Sequence, residues 1–251
     1  MEITIPWGDK HYRVQLDEAL DLTIPLIPNQ VGPNCYYAPP FEASPVRSEN
    51  FIGSLDEGST VNFYNLRINP HGNGTHTECV GHIKRGNFSI GESLKNFHFR
   101  AQLISVYPQK KDNGDRVVDL SNLKHQWEPN EEAEALIVRT LPNLDEKKSQ
   151  IYSGTNPPYF TADAIDYIVE NQIRHLLVDL PSIDPEVDGG RLAAHKSFFN
   201  FSGPVRTEST LSELIFVPNE VKDGNYLLQL SVLRLDLDAS PSRVVIYELK
   251  R

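Results

Sequence analysis

The chain has 251 residues, of which 39% are hydrophobic and 23% charged, an ordinary balance for a globular protein of one large domain or two small ones. A formal net charge of −10 without any Lys/Arg block argues against a nucleic-acid surface. No apolar run approaches the ~20 residues that span a bilayer, the start Met1–Lys10 lacks a basic stretch followed by an apolar core, and two cysteines, Cys35 and Cys79, make no disulfide framework, so a cytoplasmic protein with no membrane partner is expected.

Residues 27–60 are rich in Pro, Asn, Ser and Gly with Tyr36, Tyr37, Phe41 and Phe51 interspersed, and read as a long ordered loop of the kind that binds or covers ligands. Val61–Ile68 partly alternates apolar and polar residues and reads as a strand. It leads into His71-Gly-Asn-Gly-Thr-His76-Thr-Glu78-Cys-Val-Gly-His82, expected where the strand gives way to a loop. Ala133–Arg139 is a compact apolar strand, and Thr161–Glu170 a short helix with Thr161 as N-cap and Ala164, Ile165 and Ile168 on its apolar face. His175–Leu180 is a second apolar strand stopped by Pro181, so strand, helix and strand imply a right-handed crossover between parallel strands. Tyr226–Leu235 and Arg243–Leu249 follow as strands joined through a turn at Asp238–Ser242. No repeat or linker demands a boundary, which predicts one domain over residues 1–251: an α/β fold with β-rich mixed sheets and few helices.

Chemistry concentrates in the segment from His71 to His82. Imidazole and carboxylate are the donors that suit a catalytic divalent ion such as zinc or manganese. Gly72, Gly74 and Gly81 allow the backbone to bend or to come close where a Cβ would clash. A second polar set follows the Leu180 strand, with Asp184 and His195 in a loop of the kind that borders the ligand crevice of open α/β sheets. Arg206–Leu214 then offers two carboxylates, Glu208 and Glu213. Taken singly, Asp184 before Pro185 is an ordinary turn residue, His195 a surface histidine and Glu208 a solvated charge.

Gly74-Thr75-His76-Thr-Glu78 followed by His82 resembles the His-x-Gly-Thr-His-x-Asp-x-Pro-x-His hallmark of the metal-dependent cyclase family, which includes bacterial kynurenine formamidase and isatin hydrolase. Asp21–Leu26 is similar to its early "DLSxPL" stretch, Leu177–Pro185 to "GxDTxSxDP", His195 with Glu208-Ser-Thr-Leu to its late histidine and "ENL" glutamate, and Asp238–Val245 to "GAPxRVV". The resemblance implies a swivelling β/β/α architecture, a homodimer or homotetramer, and one or two zinc or manganese ions. It implies His71, His76, Glu78, His195 and Glu208 as metal ligands and His82 as catalytic acid/base. Spacing alone leaves Glu208 and Glu213 both open, and the following Ser-Thr-Leu favours Glu208. Three departures stand out: His71 lies five residues before His76 where the family has four, Glu78 replaces aspartate, and Val80 replaces proline.

The implied activity is metal-assisted hydrolysis of a small-molecule amide, formamide, lactam or lactone. A bound ion would lower the pKa of its water from about 15.7 towards ~7. His82 would shuttle the proton, and Thr75 and Thr77 would orient ligands through their hydroxyls. Two other readings remain at this stage: a Cys79 nucleophile paired with His76 or His82, and a metal- or small-ligand-binding protein that has lost turnover on the same scaffold.

Overall fold

Ala135–Thr140 is buried along its whole length, which requires cover on both faces. The computed structural model, which describes residues 1–30 and 32–251, shows how that cover is built. Seven strands close a barrel: β1 (His76–Glu78), β2 (His98–Val106), β3 (Ala135–Thr140), β4 (His175–Val178), β5 (Thr210–Glu213), β6 (Gly224–Val232) and β7 (Ala239–Glu248). Their order is β6-β2-β3-β4-β5-β1-β7, and β7 pairs with β6 to complete the circuit, while Leu20–Asp21 adds to the outer edge of β7. The run β2-β3-β4-β5 is parallel and the remaining pairings are antiparallel. Mixed β-rich sheet with few helices is therefore the architecture, as the sequence predicts.

Alternation along the strands sorts two cores. Ala135 and Ile137 join Phe99, Leu103, Leu177, Leu228 and Val244 inside the barrel. Leu136 and Val138 turn outward, where they meet Ile165 and Ile168 of α2 (Ala162–Glu170) and Phe198 of α3 (Ala193–Phe198), with α1 (Leu120–Gln126) contributing Leu123. Each such side chain, fully buried, is worth about 1.5–3 kcal/mol relative to exposure. On the antiparallel side, the hairpin Glu2–Trp7 with Lys10–Gln15 covers Leu227, Val245 and Tyr247 through Val14 and partly buried Ile3 and Ile5.

The crossover from β3 through α2 to parallel β4 matches the reading of residues 133–180, with β4 two residues shorter than expected because Asp179 and Leu180 leave the ladder. Thr161 occupies the N-cap position of α2, but its hydroxyl makes no capping bond. The strand expected at residues 61–68 shortens to Tyr64–Arg67, an exposed partner of Glu42–Pro45. Residues 27–60 carry only short strands, and Val31 within them lies outside the described residues. The largest difference is at the motif itself. His76–Glu78 is a buried barrel strand and not a loop, because β5 and β7 both pair with it. Among the described residues, no helix is long and apolar enough to cross a membrane.

Candidate metal centre

Short strand β1 sets the site by alternation. His76 and Glu78 face the side of the barrel on which α3 packs, whereas Thr77 meets Ser212 (hydroxyl oxygens 2.7 Å apart) and Cys79 joins the barrel interior. Thr75 donates to the Leu214 carbonyl at 2.5 Å and accepts the Ile24 N–H at 2.9 Å. Both threonines therefore pin the strand to its neighbours and do not orient a candidate ligand.

The residue inserted between His71 and His76 is absorbed in one helical turn, Pro70–Asn73. The Asn69 side chain accepts the Gly72 N–H at 3.1 Å, and Asn69 N–H donates to the Asn73 side chain at 2.7 Å. This turn sits tightly under residues 35–38: a Cβ on Gly72 would lie 2.2 Å from the Ala38 Cβ. His71 is thereby returned to the site, with Nδ1 3.1 Å from Glu78 Oε2. His82 ends the turn Val80–His82, its Nδ1 3.8 Å from the same oxygen.

From the other side, Asp184 organises α3. One carboxylate oxygen accepts the Ala194 N–H at 2.7 Å; the other accepts the His195 N–H at 3.0 Å and the His195 ring Nδ1–H at 2.6 Å. The opposite ring nitrogen, Nε2, consequently points at Glu78 Oε1, 3.0 Å away. His76 is held in the same way: Nδ1 donates to the Gly74 carbonyl at 3.0 Å, so Nε2 faces inward. In register across β5, Glu213 stands opposite His76, with Oε2 3.4 Å from His76 Nε2 and Oε1 3.9 Å from His195 Nε2.

Glu208 does not join this group and corrects the sequence expectation. It precedes β5 on the surface, 61% exposed, and its carboxylate accepts from Lys95 Nζ at 2.6 Å. Glu213, three positions into the strand and buried, stands in its place. Asp238 is a further member that the sequence reading passed over as a turn residue: its Oδ2 lies 2.9 Å from His71 Nε2 and 3.3 Å from His82 Nδ1.

The electrostatics of the cluster follow from four buried or half-buried carboxylates, Glu78, Asp184, Glu213 and Asp238, and four imidazoles. Burial opposes the Glu78 charge, but His82 and His195 hold its carboxyl well below the usual range. Burial likewise opposes a charged His195, yet Asp184 and Glu78 raise it well above an ordinary histidine. His71 is pushed up to about 10 against the cost of burial by Asp238 and Glu78. The hydrogen bonds from His71 and His82 lower Asp238. The carboxylates therefore favour positive charge within the cluster.

The fit to a divalent ion can be tested on individual atoms. Among the described residues, His76 Nε2, Glu78 Oε2 and Glu213 Oε1 are buried and make no hydrogen bond of good geometry, His71 Nδ1 lying 3.1 Å from Glu78 Oε2 but outside hydrogen-bond geometry, although most buried polar atoms in folded proteins are paired. His71, His76 and Glu78 place donor atoms within 4.8 Å of one another, as do Glu78, His82 and His195, and His71, His82 and Asp238. Imidazole nitrogens with their far nitrogen held by a carboxylate or carbonyl, beside carboxylates, are the donor set and the support that zinc or manganese takes. These residues fit the group. Cys79 does not share that face, and burial raises its thiol, so the nucleophile reading loses both geometry and reactivity.

A cleft of about 940 Å³ adjoins the cluster at Asp184 and is walled by Tyr36, Tyr37 and Tyr159, with Arg191 at its rim. Tyr36 and Tyr37 both adopt left-handed backbone, φ +55° and +52°, a conformation that costs on the order of 1–3 kcal/mol per residue and persists only where neighbours impose it. Here the Cys35 N–H donates to the Gly72 carbonyl at 3.1 Å and the Tyr37 N–H to Ser153 Oγ at 2.9 Å.

Comparison with known proteins gives concordant matches. A family model described as "Putative cyclase" matches residues 20–185. Kynurenine formamidase of Bacillus anthracis is 29% identical over 206 residues, covering 79% of this chain and 86% of that protein. The enzyme of the same name from Bacillus mycoides (strain KBAB4) is 30% identical over 200 residues, 77% and 83% of the two chains. Among solved structures, isatin hydrolase A from Ralstonia solanacearum superposes with a TM-score of 0.66 at 16% identity, covering 93% of this chain and 92% of that one. Isatin hydrolase A from Labrenzia aggregata gives 0.63 at 16% identity, with 92% and 93% covered. At such identities the structural likeness speaks for the fold.

Proposed function

This chain belongs to the putative cyclase family and is one of its hydrolases, and we propose that it hydrolyses the C–N or ester bond of a small amide, formamide, lactam or lactone with a divalent ion as its cofactor. The single observation that carries the reading is the trio of buried inward atoms without partners, His76 Nε2, Glu78 Oε2 and Glu213 Oε1. Leaving each such atom unpaired costs about 1–3 kcal/mol, more for a charged one, so a protein that keeps three together is built around something that pairs them.

His76, Glu78, His195 and Glu213 would hold a zinc or manganese ion, with His71 as a further donor at the outer edge. Such an ion supplies Lewis acidity, which polarises a carbonyl and makes water more acidic. The chain's own groups do the rest. His82 is the most exposed of the site's imidazoles, 32% against 25% for His71. It is within reach of both cluster and solvent, and is the acid/base that takes the proton from water and returns it to the leaving nitrogen or oxygen. Tyr36 and Tyr37 present rings over the neighbouring cleft, an apolar wall for the substrate body. The exposed apolar arm formed by Phe51, Leu55, Phe63 and Leu66 is suited to a second copy of the chain, in line with a homo-oligomer.

The test begins with metal content. Purified wild type measured by inductively coupled plasma mass spectrometry is expected to carry about one or two equivalents of zinc or manganese, lost in His76→Ala. The loaded protein is then assayed on an N-formyl arylamine, a small lactam and a lactone, with and without phenanthroline. Turnover that chelation removes and Cys79→Ala spares supports the proposal. Protein that stays empty after soaking in both metals overturns it.

A further inference from the structure

We propose that Asp238 is a positioning residue that locks two histidines of the site at once, a function resting on the hydrolase reading above. One oxygen, Oδ2, receives Nε2 of His71 at 2.9 Å and Nδ1 of His82 at 3.3 Å. Each bond fixes which nitrogen its ring turns to Asp238, Nε2 for His71 and Nδ1 for His82, so the two rings are held in opposite orientations. His71 must turn Nδ1 towards Glu78 Oε2, where it lies at 3.1 Å, and His82 must keep Nε2 as its free nitrogen. The two rings lie against each other in a tilted arrangement, their centroids 4.3 Å apart and their planes 34° apart.

The anchor is itself fixed. The Asp238 carbonyl accepts the Cys79 N–H at 2.9 Å, which ties its backbone to the end of β1 between Glu78 and His82. Gly81 makes room: a Cβ there would stand 3.3 Å from Asp238 Cβ and 2.5 Å from the Phe88 carbonyl oxygen. Glu78 Oε2, wholly buried, lies between the two rings: His71 Nδ1 faces it at 3.1 Å, and His82 Nδ1, the nitrogen turned to Asp238, lies 3.8 Å from it. Asp238 thus does for His71 and His82 what Asp184 does for His195, and what the Gly74 carbonyl does for His76. Such outer partners fix ring orientation and raise the basicity of the inward nitrogen.

The experiment compares wild type with Asp238→Ala, which removes the acceptor, and Asp238→Asn, which keeps an acceptor and removes the charge. Long-range ¹H–¹⁵N correlation spectra report the protonation pattern of each histidine ring, and zinc alone is titrated against a chromogenic chelator. In wild type, His82 is expected as the Nδ1–H tautomer. In Asp238→Ala that signature is lost, His71 changes with it, His76 and His195 keep theirs, and zinc affinity falls by about 10- to 100-fold. Asp238→Asn retains the His82 signature and loses less affinity. A purely structural Asp238 would alter the melting temperature without this selective pattern. Unchanged His82 and unchanged zinc affinity in Asp238→Ala would overturn the proposal. If wild type takes up no zinc, the hydrolase reading falls, whereas the His82 signature in the metal-free protein and its loss in Asp238→Ala still uphold the Asp238 lock.

Discussion

The exchange of Glu208 for Glu213 is open to a decisive comparison. Glu213→Gln removes one negative charge and one oxygen donor from a position 3.4 Å from His76 Nε2 and 3.9 Å from His195 Nε2, while keeping the side-chain volume. Because Gln keeps the shape of Glu and the pairs it loosens are those with His76 and His195, the metal-free fold should stay intact. The effect belongs to the loaded state. A ligand at 100 times its dissociation constant stabilises the native protein by about 2.7 kcal/mol, so a hundredfold loss of affinity removes nearly all of that. At roughly 2–4 °C per kcal/mol for a protein of this size, the zinc-induced rise in melting temperature should shrink by about 5–9 °C. Glu208→Gln breaks only an exposed pair with Lys95 and should keep the full zinc-induced rise. Differential scanning fluorimetry with and without zinc reads both. A full rise in Glu213→Gln together with a lost rise in Glu208→Gln would refute the structural assignment.

Three further outcomes follow from the packing. Gly81→Ala drives a Cβ to within 2.5 Å of the Phe88 carbonyl oxygen and should cost about 1–3 kcal/mol in urea unfolding; unchanged stability would mean that the close approach is not there. Lys147→Met strands the fully buried Asp179, which pairs with Lys147 Nζ at 2.8 Å and accepts from Thr140, and should destabilise by about 3–5 kcal/mol, whereas a well-tolerated variant would show that the Thr140 bonds suffice. His175, buried against Phe99 and the Thr210 hydroxyl, is pushed down to about 3 by burial and by Arg174 and Arg206. The unfolded chain therefore binds this proton first as pH falls. Its contribution is intact above about 6.5 and is lost at about 1.4 kcal/mol per unit as pH drops towards 3, so His175→Gln should flatten the unfolding free energy against pH by that slope.

The legible parts of this chain are those where local pattern and tertiary role agree. β3 and α2 declare themselves by apolar runs and by period, and their parallel crossover follows. β1 does not, because a three-residue strand carrying two polar ligand candidates has no apolar signature; its strand character is imposed from outside by β5 and β7. The same cause explains Glu213. It is recognisable only through its register opposite His76, which no spacing in the chain reveals, although its place on the Thr210–Glu213 strand directly before Leu214 is a usable signal once that strand is suspected. Asp238 belongs to a turn that any reading assigns to surface structure, and 167 residues separate it from His71. Thr161 errs in the other direction: its sequence context favours capping, but the Asp163 carboxylate takes the Ala164 N–H instead.

Two of the departures from the family hallmark, the shifted His71 and Glu78, meet at one place and compensate one another. Glu78 reaches one methylene further than the aspartate it replaces, and that length lets its two oxygens serve opposite sides: Oε1 towards His195 at 3.0 Å, Oε2 towards His71 at 3.1 Å. The extra residue before His76 lifts His71 into a helical turn, from which only the longer carboxylate is met. Asp238 then holds the displaced ring from behind. Glu78→Asp, although it restores the family's residue, should therefore harm this protein. Withdrawing the carboxylate by roughly 1 Å or more separates it from His71 or from His195, since no shorter side chain spans both. Zinc affinity in chelator competition should fall by about 10-fold or more, the scale seen when the support of a metal ligand is disturbed. Were Glu78→Asp to bind zinc as tightly as wild type, the two changes would be independent drift and the coupling between His71, Glu78 and Asp238 would be wrong.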